Sequence, residues 1–349
     1  MIKTKEEVEA LPDLDGKTPS LTENIATLTE KDFELFQEIK SFLRDHIDFS
    51  DDRHYDLLAC YLLVSQRIRE FNTVPYLFYL GPPASGKSTA MNTCTSLVDR
   101  AIRTCSLTPA TLFRIVDKQK PPLLGIDESE IINDSKSAAD FIALLNAGYE
   151  RGTPAYRLEQ VKDGAWEVRE FDVFGCKMVA GTKNFRFDTV MSRCIVVNME
   201  RRSRKVRFTL DKDRAEQIKG EMNSYAERWS NNTTAKSFVP EEWGSDRVAQ
   251  LFQPLFEVAP TKEVEEILRS LATDLAKRRA LEDQSGHKSM IIKAFEYVVG
   301  QQLTLTESKE PLRCEIHPVF EAFRNQLAAE YGEEQAGRWR EEPMRTVRK

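Results

Sequence analysis

Apolar residues recur every three or four positions over KDFELFQEIKSFLRDHI, where Phe33, Phe36, Ile39, Leu43 and Ile47 fall on one face of a helix. The next stretch, DLLACYLLVSQRIREF, is apolar on most sides. That predicts a buried helix, with Asp51 and Asp52 available to cap it. From residue 76 the period changes. Short β-rich runs (YLFYL, AIRTCSL, PPLLGID, CKMVAGT and RCIVVNM) alternate with helical stretches. Alternation of this kind predicts a parallel sheet covered by helices. A continuous run such as YLFYL suits a strand buried on both faces. After residue 210 the patterning is helical again, from DRAEQIKGEMNSYAERW to IHPVFEAFRNQLAAEY. The expected fold is α/β, a three-layer αβα core around a parallel sheet, preceded and followed by helical regions. Its segments are a flexible arm over 1–30, helices over 31–72, the core over 73–210 with a hairpin insertion near 155–171, and helices over 211–349.

Composition narrows this picture. A chain of 349 residues with 41% hydrophobic and 30% charged residues can bury a full core and stay in solution. No apolar run approaches the roughly 20 residues that cross a bilayer. The N-terminal MIKTKEEVEALPDL lacks the apolar segment of a signal peptide. A cytoplasmic protein without a membrane partner is expected. The six cysteines have no C-x-x-C spacing and only four histidines accompany them, so neither a zinc site nor a disulfide framework is expected. A net charge of −6 argues against non-specific coating of nucleic acid, although RRSRKVR at 201–207 is either a local basic surface or a solvated strand end.

The most informative stretch is YLFYLGPPASGKSTAMNT, in which GPPASGKS fits the phosphate-loop pattern G-x-x-x-x-G-K-[ST] between a strand and a helix. Gly81 and Gly86 allow backbone angles and close approach that a side chain would block. Backbone N–H groups and the start of the helix then cradle a phosphate. Lys87 is the residue to reach the β- and γ-phosphates, and Ser88 the one to offer a hydroxyl to Mg²⁺. Pro82 and Pro83 stiffen the loop. Ala84, Ser85 and Thr89 complete the candidate nucleotide-binding set, with ATP and Mg²⁺ as the expected ligands.

LLGIDESE follows as an apolar strand ending in Asp127 and Glu128. Asp127 suits Mg²⁺, and Glu128 suits activation of the water that attacks the γ-phosphate. In AYRLEQVKDGAWEVREF two strands flank Lys162-Asp163-Gly164, a tight-turn signal. Lys162 and Trp166 offer a cation and an aromatic ring to a nucleic acid, or the segment is an ordinary edge hairpin. CKMVAGTKNF ends in Thr182, Lys183 and Asn184, and either Thr182 or Asn184 can orient the attacking water. Arg193, just before the last strand, is better placed for a neighbouring subunit's γ-phosphate than for its own. Alternatively it forms a surface salt bridge.

Taken in order, these motifs resemble the AAA+ P-loop ATPases. More narrowly they are similar to the ATPase domain of replication and helicase-like proteins carried by phages, plasmids and other mobile elements. The resemblance covers residues 32–257. It implies a Walker A loop at Gly81, Gly86, Lys87 and Ser88, a Walker B pair at Asp127 and Glu128, and an arginine finger at Arg193. It also implies a pore-lining hairpin around Lys162, the AAA+ strand order followed by a helical lid, and a homo-oligomeric ring, a hexamer, around DNA. The asparagine usual at the end of the fourth core strand has two competitors here, Thr182 and Asn184. MIIKAFEYVV and FEAFRNQLAAEY are compatible with part of a winged helix, without a clear recognition helix or wing.

The function this implies is an ATP-hydrolysing DNA helicase or translocase, or a helicase loader, working with replication proteins. A nucleotide-dependent switch or remodeller acting on a protein partner is the alternative. A small-molecule or polynucleotide kinase shares the loop but has no use for a γ-phosphate-directed water or a trans arginine.

Overall fold

The computed structural model describes residues 30–105, 108–127, 138–160, 165–185, 188–201, 204–229 and 246–281. Glu128 and Lys162 lie outside these residues, as do the arm before residue 30 and the winged-helix candidates after residue 281. Two helices open the described chain, α1 (Glu30–His46) and α2 (Arg53–Gln66). The apolar stripe of α1 is buried through Leu35, Phe36, Ile39, Phe42 and Leu43, whereas Phe33 is partly exposed. Of the two aspartates before α2, Asp51 does the capping, its carboxylate accepting the Arg53 N–H at 3.0 Å. Asp52 makes no side-chain cap and instead pairs with Arg44 at 2.7 Å.

The core elements follow as β1 (Tyr76–Leu80), α3 (Lys87–Ser96), β2 (Ile102–Thr104), α4 (Pro109–Gln119), β3 (Leu123–Ile126) and α5 (Ala138–Ala147). Next come β4 (Ala155–Gln160), β5 (Trp166–Phe171), β6 (Cys176–Gly181), α6 (Asp188–Met191) and β7 (Cys194–Asn198). Five strands form one parallel sheet in the order β2-β3-β6-β1-β7. The crossovers of parallel strands are right-handed. The step from β1 to β2 runs one way along the sheet, and the steps β2 to β3, β3 to β6 and β6 to β7 run the other way. That puts α3 on one face and α4, α5 and α6 on the opposite face. The helix contacts divide accordingly: α4 packs on α5 and α5 on α6, while α3 packs on α1. Two further helices, α7 (Lys212–Trp229) and α8 (Asp246–Val258), pack against α2, and the chain is helical again over 262–281. The chain divides into two compact units, Met1–Ala272 and Thr273–Lys349.

Burial follows the apolar runs. Tyr76, Leu77, Phe78 and Tyr79 of β1 are inaccessible, as expected for a strand covered on both faces. The exception to the apolar pattern is Lys177 on β6, which is also buried. Its ammonium donates to the carbonyls of Val173 (2.8 Å), Gly175 (3.0 Å) and Gly148 (3.3 Å) and lies 5.0 Å from the Tyr76 ring centre. Burial pushes its pKa down to about 7. The described cysteines are free. Cys60, Cys94, Cys176 and Cys194 are buried, and burial pushes Cys94 and Cys176 up to about 12, so these two behave as small apolar groups.

β4 and β5 form a separate antiparallel hairpin and do not extend an edge of the main sheet. Its two faces reverse the usual amphipathic arrangement. The charged residues of β4 turn inward, with Glu159 pairing with Arg114 at 2.7 Å and Arg157 with Asp140 at 2.8 Å, while Glu167 and Arg169 of β5 stay exposed. The other face leaves Tyr156, Leu158, Trp166 and Val168 between 64% and 68% exposed.

Candidate nucleotide site

In parallel sheets ligands collect beyond the carboxyl ends of the strands, where neighbouring connections leave in opposite directions. Here that point is the end of β1, flanked by β6 and β7. The loop leaves β1 at Gly81 and enters α3 at Lys87. Gly81 is required for space. A Cβ there would stand 2.1 Å from the Met199 carbonyl oxygen, which belongs to the backbone just after β7. Gly86 is required for its angle, with φ at +91° in the left-handed region as the residue that caps α3. Ala84 shares positive φ, at 63°. Lys87 donates to the carbonyls of Gly81 (2.7 Å) and Pro82 (2.8 Å), so the loop holds its own ammonium close to its backbone. Ser85 is buried beneath the loop, whereas Pro82, Pro83 and Ser88 are exposed. Residues 84–89 line a cavity of about 480 Å³.

The steric demand at Gly81 gives a direct prediction. Gly81→Ala forces the loop away from Met199, and overpacking of this kind costs about 1–3 kcal/mol. A lower urea midpoint together with weakened nucleotide binding is the expected result. Wild-type values for both would show that the loop accommodates the methyl group.

Asp127 follows β3 directly. It lies on the same sheet end as the loop, with β6 between β3 and β1. Its carboxylate is paired with Arg103 of β2 at 3.1 Å, and Arg103 also donates to Asn92 of α3 at 3.3 Å. The arginine therefore links the loop's helix to the acidic strand end. Ser88 and Asp127 offer oxygen donors of the kind Mg²⁺ prefers, and Arg103 is the cation such an ion would have to share Asp127 with. No group of three or more His, Cys, Asp or Glu that could hold a metal occurs among the described residues.

Thr182, Lys183 and Asn184 leave β6 beside the loop, where the Gly81 N–H donates to the Gly181 carbonyl at 3.2 Å. All three are exposed, while Phe185 is buried and stacks on Phe78 with ring centres 4.7 Å apart. Thr182 and Asn184 remain equally placed at this sheet end.

Two of the sequence candidates lie elsewhere. Arg193 precedes β7, and its carbonyl accepts the Tyr76 N–H at the opposite end of the sheet. Five residues at about 3.3 Å each separate Tyr76 from Gly81, placing Arg193 roughly 16 Å from the loop of its own chain. Its guanidinium donates to the Thr189 carbonyl and lies 5.5 Å from the Tyr149 ring centre. It makes no salt bridge among the described residues, so the surface ion pair weighed from the sequence is not found there. Arg193 lines a second cavity of about 390 Å³ with Asn146, Tyr156 and Arg157. Trp166 lies in the exposed apolar face of the hairpin.

Three side chains near the loop escape sequence reasoning. Arg103 sits inside a β-rich run, where a charge is the only signal. Arg201 and Phe208 line the loop cavity, and both fall in or beside RRSRKVR. Within that cluster some charges are tied down. Arg204 pairs with Asp48 at 3.5 Å, and the Arg207 N–H donates to the Asp45 carbonyl at 2.8 Å.

Neither the protein-family models nor the curated proteins compared with this chain match it. Among the described residues, no helix is long and apolar enough to cross a membrane.

Proposed function

We propose that the chain is a P-loop ATPase of the AAA+ type. It binds ATP with Mg²⁺ at residues 81–89 and assembles as a homo-oligomeric ring, a hexamer, around DNA. In this reading it is a cytoplasmic helicase, translocase or helicase loader that works with replication proteins of a phage, plasmid or other mobile element. The observation that carries the reading is the conjunction at one sheet end. The glycine loop opens at the reversal point of a β2-β3-β6-β1-β7 parallel sheet, with the Asp127 carboxylate on the next strand but one. Mg²⁺ held by Ser88 and Asp127 would neutralise charge on the β- and γ-phosphates. Lys87 would bind the phosphates, and Glu128 would take a proton from the attacking water. Thr182 or Asn184 would orient that water, and Arg193 would serve the adjoining subunit.

Lys162 and Trp166 would meet the DNA. Lys162→Ala is expected to abolish stimulation of hydrolysis by single-stranded DNA while basal hydrolysis stays within about twofold of wild type. DNA binding that is unchanged in this variant, with hydrolysis normal, would remove the main support for a translocase. One observation favours the second reading, a switch or remodeller acting on a protein. Among the described residues, the face that carries Tyr156, Leu158, Trp166 and Val168 holds no cation to meet a phosphate backbone, and Glu170 lies opposite Tyr156 on it.

A further inference from the structure

The second cavity, of about 390 Å³, is lined by Asn146 of α5, Arg157 of β4 and Arg193, the residue before β7. Each of these three side chains holds a buried polar atom that meets no hydrogen-bond partner among the described residues. They are the side-chain oxygen of Asn146, Nη1 of Arg157 and Nε of Arg193. An atom left so forfeits the hydrogen bond it would make to water, and native structures seldom leave one unpaired. Two donors and one acceptor around a single cavity call for a ligand that brings two acceptors and one donor.

Each guanidinium is anchored through another of its nitrogens. Arg157 donates from Nη2 to Asp140 at 2.8 Å and lies 4.7 Å from the Phe113 ring centre. Arg193 donates from Nη1 to the Thr189 carbonyl and lies 5.5 Å from the Tyr149 ring centre. These ties fix the guanidinium planes before any ligand enters. Asp140 is the one carboxylate among the lining residues, against two arginines, so the cavity keeps a surplus of positive charge. It is separate from the phosphate loop of the same chain, which lies roughly 16 Å from Arg193 at the other end of the sheet.

We propose that this cavity binds hydrogen phosphate, taken up as the free inorganic ion. Its bare oxygens accept from Arg157 and Arg193, in bonds strengthened by charge on both partners. Its O–H donates to the Asn146 oxygen. A carboxylate or sulfate would satisfy the arginines, but near neutral pH neither has a proton for Asn146. The reaction proposed above releases inorganic phosphate, so the ligand is one that the chain itself would supply. The terminal phosphate of a nucleotide on an adjoining subunit offers the same chemistry from another source.

Calorimetric titration of the full chain with phosphate and with sulfate, near neutral pH and without nucleotide, tests the site. Lys87→Ala protein serves as the parent, so that the phosphate loop does not contribute its lysine. Saturable phosphate binding is expected, at least about tenfold tighter than that of sulfate, which leaves the Asn146 oxygen unpaired. Asn146→Ala should bring the two anions to equal affinity. Arg157→Gln should weaken both by roughly 10- to 100-fold. Arg157→Gln also loosens the tie to Asp140, so its melt is compared with the parent's. If it folds poorly, the phosphate-to-sulfate ratio of Asn146→Ala carries the test, because both anions are then compared on one protein. Parent protein that binds neither anion, or variants that bind both as the parent does, would overturn the site. Sulfate bound as tightly as phosphate by the parent would overturn the hydrogen phosphate assignment. Loss of ATP-dependent assembly in Arg157→Gln, with no binding of free phosphate to the parent, would give the pocket to a neighbour's nucleotide and overturn the free ion.

Discussion

Lys87→Ala abolishes productive ATP binding and leaves the fold intact. The ammonium stands at the start of α3, donating to the carbonyls of Gly81 and Pro82 in its own loop. These are neutral acceptors. A phosphate oxygen is an anionic one, and charge-assisted hydrogen bonds are roughly twice as strong. The lysine should therefore move from the loop carbonyls to the ligand when a triphosphate enters. Removing it takes away one or two such bonds of about 1.5–3 kcal/mol each, which corresponds to an affinity loss of at least about tenfold and commonly more than 100-fold. Stability should change little, because the abandoned Pro82 carbonyl belongs to an exposed residue that water can reach. Titration with ATP beside a thermal melt checks both halves. Near wild-type affinity would mean that the loop is a glycine-proline turn with a lysine at its edge.

Arg193→Ala binds ATP normally but loses about three orders of magnitude in turnover, the scale of a trans arginine acting on phosphoryl transfer. The roughly 16 Å between Arg193 and its own loop, from the strand rise, leaves the residue no direct role at the bound phosphates of the same chain. Mixing the variant with wild type should depress activity more steeply than dilution does, because each defective subunit disables an interface it shares. Activity that falls in simple proportion to the variant fraction would count against a trans role. The bonds of Arg193 to the Thr189 carbonyl and Tyr149 make a melt of the variant a necessary control.

Much of the core was legible because its signals are local. YLFYL is a buried strand because every residue in it is apolar, and Thr108 and Pro109 open α4 as their types suggest, with the Thr108 hydroxyl accepting the Thr111 N–H at 3.4 Å. Asp127 falls at a strand end because the apolar run stops there. What stayed hidden depends on partners distant in sequence. RRSRKVR has the composition of a free basic patch, but Arg204 finds Asp48 more than 150 positions earlier. The period-two pattern of the hairpin gives two faces without saying which is covered, and ion pairs to Arg114 and Asp140 cover the charged residues of β4. Arg103 offers only its charge as a signal, and its partner Asp127 becomes apparent once β2 is known to lie beside β3. Phe208 is one phenylalanine in a polar stretch until the ties to α1 bring it to the loop cavity.

The central claim, a shared-interface ATPase working on a nucleic-acid track, is tested most directly by steady-state ATP hydrolysis. The rate per subunit would be measured across a wide range of protein concentration, with and without single-stranded DNA. The account predicts a rate that rises with concentration as interfaces form and rises again when DNA is added. A rate per subunit that is flat in both would contradict it, and would leave a self-contained nucleotide switch whose partner is a protein.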